Sequence, residues 1–183
     1  MKKMNTWVFI TSALLFACIV VLANYTVQFH IFNSPLTYGA LTYPLSFLLM
    51  DVLSEKYSKT QVLKTLWLGL FLAFIPSLLL SEVRIAIASV SAFFISQNLD
   101  VHIFFYLKSK FPALWWLRNN ASTIASQFVD TMVFFHIAFL FILPWEQVIA
   151  MVFADFVIKV FLALCDTPFF YALAIHKGKF HLK

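Results

Sequence analysis

Long apolar runs alternate with short polar breaks along the chain, and each run has the length of a membrane helix, roughly 20 mostly apolar residues. The first runs from about Trp7 to Tyr25, and the second from about Leu36 to Leu53 with Pro44 inside it. The third covers about Val62 to Leu80, the fourth about Val83 to Leu107, the fifth about Asn119 to Leu143 and the sixth about Gln147 to Ile175. A turn at Ser81 and Glu82 makes the third and fourth an antiparallel hairpin, and Pro144-Trp145-Glu146 breaks the chain between the fifth and sixth. The runs are too long for barrel strands and lack the strict alternation that a barrel needs. The pattern predicts an all-α bundle of six transmembrane helices forming one domain over residues 1–183.

Composition agrees. Apolar types make up 62% of the 183 residues and charged types 11%, whereas soluble domains carry about 25% charged residues. Only three glycines and six prolines are present, leaving little room for long irregular segments. Phenylalanine, with 23 copies, suits surfaces that meet lipid tails and neighbouring helices alike.

The lysines fall in every second connection. Lys2 and Lys3 precede the first run, and Lys56, Lys59 and Lys64 separate the second from the third. Lys108, Lys110 and Arg118 separate the fourth from the fifth, and Lys177, Lys179 and Lys183 follow the sixth. The other connections, near His30, Ser81 and Trp145, hold at most Arg84. The positive-inside rule then puts both termini in the cytoplasm. The net charge of +5 is a topology signal and argues for no nucleic-acid partner. Residues Met1 to Cys18 loosely suggest a lipoprotein signal, but Phe16 is a poor small-residue match and the apolar run continues to Ala23. Cys18 and Cys165 lack metal-type spacing and read as packing residues.

A carboxylate near the bilayer centre costs roughly 2.5–3.5 kcal/mol on insertion scales. Even so, Asp51, Asp100, Asp130, Asp155 and Asp166 fall in or at the edges of apolar runs, as do Lys159 and Arg84. Two of these acids lie in an internal echo: Ser96-Gln97-x-x-Asp100 in the fourth run and Ser126-Gln127-x-x-Asp130 in the fifth. Glutamine and aspartate three apart share a helical face. In antiparallel helices Gln97 and Asp130 lie about ten and eleven residues from the basic end, and Asp100 and Gln127 about seven and eight. Each amide is expected level with the opposite carboxylate, in a pseudo-two-fold cluster of the kind transporters place at a repeat interface. The bland alternative is that the two pairs hydrogen-bond each other and glue the helices together.

Asn120, Thr123, Gln127 and Asp130 continue the face along the fifth run, with Arg118 and Asn119 at its start. Such a stripe suits a planar ligand rich in donors and acceptors. On the sixth run Asp155, Lys159 and Asp166 share a face, so Lys159 either neutralises a buried acid or binds substrate. Arg84 is a gate or an interfacial anchor; Glu55, one turn from Asp51, reads as solvated beside Lys56 and Lys59. The histidines are scattered, and His136 is expected in an interhelical hydrogen bond or a proton relay. No metal-ligand spacing, nucleophile–base pair or glycine-rich phosphate loop exists, so neither an enzyme nor a cofactor is expected.

Several blocks in order closely resemble the queuosine precursor transporters, a bacterial family also described among vitamin uptake transporters. They are Asn24-Tyr25, Leu36-Thr37-Tyr38-Gly39-Ala40-Leu41-Thr42-Tyr43-Pro44, Phe47 to Asp51 with Glu55, Arg84-Ile85-Ala86-Ile87-Ala88-Ser89, Ala92-Phe93, Ser96-Gln97-x-x-Asp100-Val101, Ser122-Thr123, Asp130-Thr131, Lys159 and Thr167-Pro168. The resemblance implies uptake across the bacterial inner membrane of 7-deazaguanine bases, such as 7-cyano- or 7-aminomethyl-7-deazaguanine, or of queuine. A carboxylate accepts two parallel bonds from a guanine-type ring N–H and amino group, and an amide serves the carbonyl side. The expected substrate-binding residues are Gln97, Asp100, Gln127 and Asp130, followed by Asn120, Thr123 and Lys159. Energy coupling is left open between secondary transport and a separate ATP-driven module docking on the small-residue face of Ala13 and Ala17. A homodimer and a non-transporting scaffold are the remaining alternatives.

Overall fold

A computed structural model describes residues 3–29 and 37–176. Its helices are α1 (Thr6–Thr26), α2 (Tyr38–Thr42), α3 (Pro44–Lys56), α4 (Lys59–Leu80), α5 (Val83–Lys110), α6 (Trp115–Phe139) and α7 (Trp145–Phe170), the last continuing as a π-helical turn over Tyr171–His176. Among the described residues no β-strand forms. Leu36, expected to begin the second run, lies outside the described residues, as do Met1, Lys2, His30, His181 and the terminal lysines 177, 179 and 183.

The bundle is apolar outside and polar inside. Phe71, Leu79 and Phe161 are 75%, 80% and 66% exposed on its flanks, while Ser46, Gln97, Ser122 and Gln127 are fully buried. A helix satisfies its own backbone, which is what an apolar solvent demands. Four helices, Thr6–Thr26, Lys59–Leu80, Val83–Lys110 and Trp145–His176, are long and apolar enough to cross a membrane.

The other two expected spans differ for identifiable reasons. The second is split where Pro44, lacking an N–H, starts a new helix at its first position. The Tyr43 N–H closes on the Gly39 carbonyl at 3.0 Å, and Ser46 Oγ donates to the Tyr43 carbonyl at 2.8 Å. The fifth, α6, is 25 residues long but carries Arg118, Asn119, Asn120, Gln127 and Asp130. It also starts at Trp115 and stops at Phe139, earlier at both ends than the apolar run suggests, and Phe141 takes a left-handed φ of 68° before Pro144.

The α4–α5 hairpin forms as expected, with Leu80 and Val83 separated by Ser81 and Glu82. α5 and α6 share the most extensive contact in the chain, followed by α1 on α4. Gly69 permits the latter: a Cβ there would lie 2.7 Å from the Phe16 ring and 3.0 Å from the Ala13 carbonyl. Ala13 and Ala17 are buried in this chain's own core, so their small-residue face is covered by α4. Gly39 likewise brings α2 against the end of α1, where a Cβ would meet the Ala23 carbonyl at 2.8 Å. Cys18 and Cys165 are exposed on the outer surface and are not packing residues. His136 bonds within its own helix, to the Met132 carbonyl at 2.6 Å, and packs edge-on against Trp145.

Candidate functional site

Three polar layers stack along α6. Arg118, Thr123, Gln127 and Asp130 lie on one helix, so Asp130 is about 18 Å from Arg118 along its axis. The Arg118 end, where Lys59, Lys108 and Lys110 also lie, is the basic end of the bundle; Ser81, Glu82 and Trp145 mark the far end.

The layer nearest the far end centres on Asp130, which is 1% exposed. Ser96 of α5 donates to its Oδ1 at 2.9 Å, and Lys159 of α7 to its Oδ2 at 3.1 Å. The same ammonium reaches Thr131 Oγ1 at 3.1 Å and Asp155 Oδ2 at 2.8 Å, one turn back on its own helix. Thr131 donates in turn to Asp155 Oδ2 at 3.2 Å. Lys159 thus ties two acids and sits 4.3 Å from the centre of the Tyr43 ring, whose ring also stacks on Phe93 at 4.4 Å. Asp166, expected on the same face, takes no part in this network.

The middle layer is buried and largely unpaired within the protein. Asp51 and Asp100, 1% and 0% exposed, adjoin each other from α3 and α5. Thr123 donates to Asp51 Oδ2 at 2.9 Å. Asp51 Oδ1 and both oxygens of Asp100 have no well-formed hydrogen bond, although Ser122 adjoins Asp100. Gln97 donates to Ser46 at 3.0 Å while its Oε1 has no partner, and neither amide atom of Gln127 has one. Buried polar groups left unpaired cost about 1–3 kcal/mol each, so a cluster of them in one place calls for a functional explanation.

At the basic end Arg118 grips Glu55 with two parallel bonds of 2.9 Å. Lys108 donates to the Ser54 and Glu55 carbonyls at 2.9 and 2.6 Å, capping the end of α3, and lies 3.5 Å from Glu55 Oε2. Glu55 is therefore locked between α5 and α6 and is not simply solvated.

A cavity of about 510 Å³ connects the far end to the first layer. Gln28, Ser81 and Glu82 line its mouth, and Tyr43, Asp130, Asp155 and Lys159 its inner end; Asn24, Ser89 and Phe134 line the wall between. Asn24 is fixed by Ser89, which donates to its Oδ1, and by its own bond to Ser77 at 2.9 Å. The volume falls within the roughly 300–1,000 Å³ of small-molecule sites.

Of the expected site residues, Asp130 and Lys159 line this cavity; Gln97, Asp100, Gln127, Asn120 and Thr123 do not. Gln97 lies at the depth of Asp130, as expected, but its neighbour Ser96 is the residue that donates to Asp130, and Asp100 adjoins Asp51. Nor do the two Gln/Asp pairs hydrogen-bond each other as glue. Asn120 leaves the stripe altogether, accepting from Thr167 of α7 at 2.8 Å. Tyr43, Asn24 and Ser89 were not expected as site residues. A tyrosine, asparagine or serine in an apolar run carries no periodic signal, although all three fall in blocks that carry the family resemblance. Among the described residues no group of three or more His, Cys, Asp or Glu could hold a metal ion.

Apolar flanks around a buried acid paired with a lysine, and a cavity reaching that acid from one end, fit a multi-pass membrane protein of transporter type. The chain belongs to the family described as "putative vitamin uptake transporter", whose model matches residues 37–173. It is 34% identical over 167 residues to a "probable queuosine precursor transporter" of Bacillus subtilis (strain 168), covering 78% of this chain and 73% of that one. A "queuosine precursor transporter" of Escherichia coli (strain K12) is 32% identical over 143 residues, covering 64% of this chain and 62% of the relative. No solved structure matches the chain.

Proposed function

We propose that this protein is an importer of queuosine precursors, 7-deazaguanine bases such as the 7-cyano and 7-aminomethyl forms, and that Asp130 is its recognition carboxylate. The relatives' names supply the substrate class. The observation that carries the reading is that Asp130 ends a ligand-sized cavity with bonding capacity to spare. An ionised carboxylate offers about four lone-pair sites. Ser96 takes one on Oδ1 and Lys159 one on Oδ2, and the Tyr43 hydroxyl adjoins the group without a well-formed hydrogen bond, so capacity is left for the ring N–H and amino group of a guanine-type edge. Asp155 is placed to receive the ammonium of the aminomethyl form. The Tyr43 ring is engaged by Lys159 and Phe93, so stacking falls to Phe134 on the cavity wall.

In this reading the chain has six membrane spans, α2 with α3 and α6 being the two that the polar pathway interrupts. It lies in the bacterial inner membrane with its basic end and both termini in the cytoplasm, and the cavity faces outward. Gln97, Gln127, Asp100 and Thr123 lie on the onward route to the basic end, closed in this conformation by Glu55 and Arg118. Burial of Ala13 and Ala17 in the chain's own core favours secondary transport over docking of an ATP-driven module on that face.

The test is uptake of labelled 7-cyano-7-deazaguanine by cells that lack another route for it. The wild-type protein is expected to restore uptake and Asp130→Asn, present at the same level in the membrane, to abolish it. A correctly inserted wild-type protein that moves none of these bases would return the scaffold reading to the front.

A further inference from the structure

Asp130 and the Asp51–Asp100 pair differ in their access to a cation. Lys159 pairs with Asp130 and Asp155 and offsets one of their two charges. Two cations at the basic end, Arg118 of α6 and Lys108 of α5, pair with Glu55, one turn from Asp51 on α3. Among the described residues no lysine, arginine or histidine forms an ion pair with Asp51 or Asp100. From α6 the pair meets neutral hydroxyls, Thr123 on Asp51 and Ser122 beside Asp100. On α7 the one buried cation, Lys159, belongs to the outer layer, and His176 of the terminal turn packs its ring on Tyr171. Three of the four carboxyl oxygens have no well-formed hydrogen bond, and both residues are essentially buried. The Ser54 hydroxyl, three residues along α3, and Asn119 Oδ1, one turn from Thr123, are buried and unpaired as well.

Two adjacent carboxyls with no ion-pair partner among the described residues, inside a bundle surrounded by lipid, reach neutrality by holding protons. Their position matters too. They lie between the cavity layer and the Glu55–Arg118 closure, and Thr123 joins them to the helix that carries Asp130.

We propose that the Asp51–Asp100 pair is a proton-binding site that couples substrate import to the inward proton gradient. The inference rests on the transport reading above. A proton from outside water passes inward from the cavity when the packing below Asp130 opens toward the pair, and it binds one carboxylate oxygen. It leaves that oxygen for cytoplasmic water once the Glu55–Arg118 closure has parted, and the carboxylate is restored. Movement of α6 on substrate binding changes the Thr123 contact to Asp51, which links occupancy of the two sites.

The experiment uses purified full-length protein in proteoliposomes, with labelled 7-cyano-7-deazaguanine outside. An outside-acid gradient is expected to stimulate uptake, and one pH unit supports up to about tenfold accumulation at one proton per substrate. A protonophore should remove the stimulation, and the ratio of uptake with and without the gradient should fall to about one in Asp51→Asn but persist in Asp166→Asn. Wild-type uptake that ignores the gradient, or follows a sodium gradient instead, overturns the proposal and leaves the transport reading standing. A second readout does not depend on transport: the infrared carbonyl band of a protonated carboxyl, expected in the wild-type protein and diminished in Asp51→Asn and Asp100→Asn. Its absence from the wild type overturns the proposal even if no base is transported.

Discussion

Lys159 donates to Asp130, Thr131 and Asp155 from a position 5% exposed, and two acids on two helices depend on it. Removing one partner of a buried pair leaves an uncompensated charge and costs about 3–5 kcal/mol. Lys159→Ala should therefore lower stability by about that amount, measured by thermal unfolding in detergent. Adding Asp130→Asn to it should recover part of the loss, because the second change removes one stranded charge. Strict additivity would mean that the two side chains do not share a network. Both residues were legible in the sequence because a charge in an apolar run needs a reason. The partner of Asp130 was not: counting residues along antiparallel helices gives depth, whereas one position along a helix turns a side chain by about 100°. Gln97 and Ser96 share a depth, and only the packing of α5 on α6 decides that Ser96 faces Asp130. Tyr43 was missed because an aromatic residue among apolar neighbours looks like packing.

α1 and α4 approach closely only because residue 69 has no Cβ. In Gly69→Val the added carbons meet Phe16 and the Ala13 backbone, and overpacking of this kind costs about 1–3 kcal/mol. The expected result is a lower unfolding temperature and a disturbed α1–α4 contact, read by crosslinking between cysteines placed on the two helices. Unchanged stability would show that the helices can separate at no cost. Sequence reading located most elements well, including the hairpin at Ser81-Glu82, but it carried the second run through Pro44, where the helix is split. It extended α6 too far because the residues after Phe139 remain apolar, and hydropathy carries no information about the left-handed Phe141 that ends the helix. It read Glu55 as solvated for a related reason: its partner Arg118 lies 63 residues away in sequence, and only the assembled bundle, with α3 against α5 and α7, brings the two side chains together.

Among the described residues, a cavity reaches inward from the far end and the Glu55–Arg118 pair closes the basic end. A cysteine at Ser89, on the cavity wall, should react with a membrane-impermeant thiol reagent applied outside, and one at Ser122, beside the buried pair, should not. Both belong in a background without Cys18 and Cys165, which are exposed. Arg118→Ala, which frees Glu55, should raise labelling of the Ser122 cysteine from the cytoplasmic side. Equal labelling of both sites from outside in the parent would contradict an outward cavity closed below Asp130. Apolar lengths and lysine spacing made the membrane class legible in the sequence. The cavity was not, because it forms among side chains of α1, α5, α6 and α7 that are far apart in the chain.

Equilibrium binding of 7-cyano-7-deazaguanine to the purified protein, with Asp130→Asn and Asp166→Asn beside it, tests the recognition carboxylate most directly. Hydrogen bonds to a charged group contribute about 1.5–3 kcal/mol, so Asp130→Asn should weaken binding roughly 10–150-fold while Asp166→Asn binds as the wild type does. A folded wild-type protein that binds no 7-deazaguanine, or an Asp130→Asn variant that binds as tightly as the wild type, would contradict Asp130 as the recognition group.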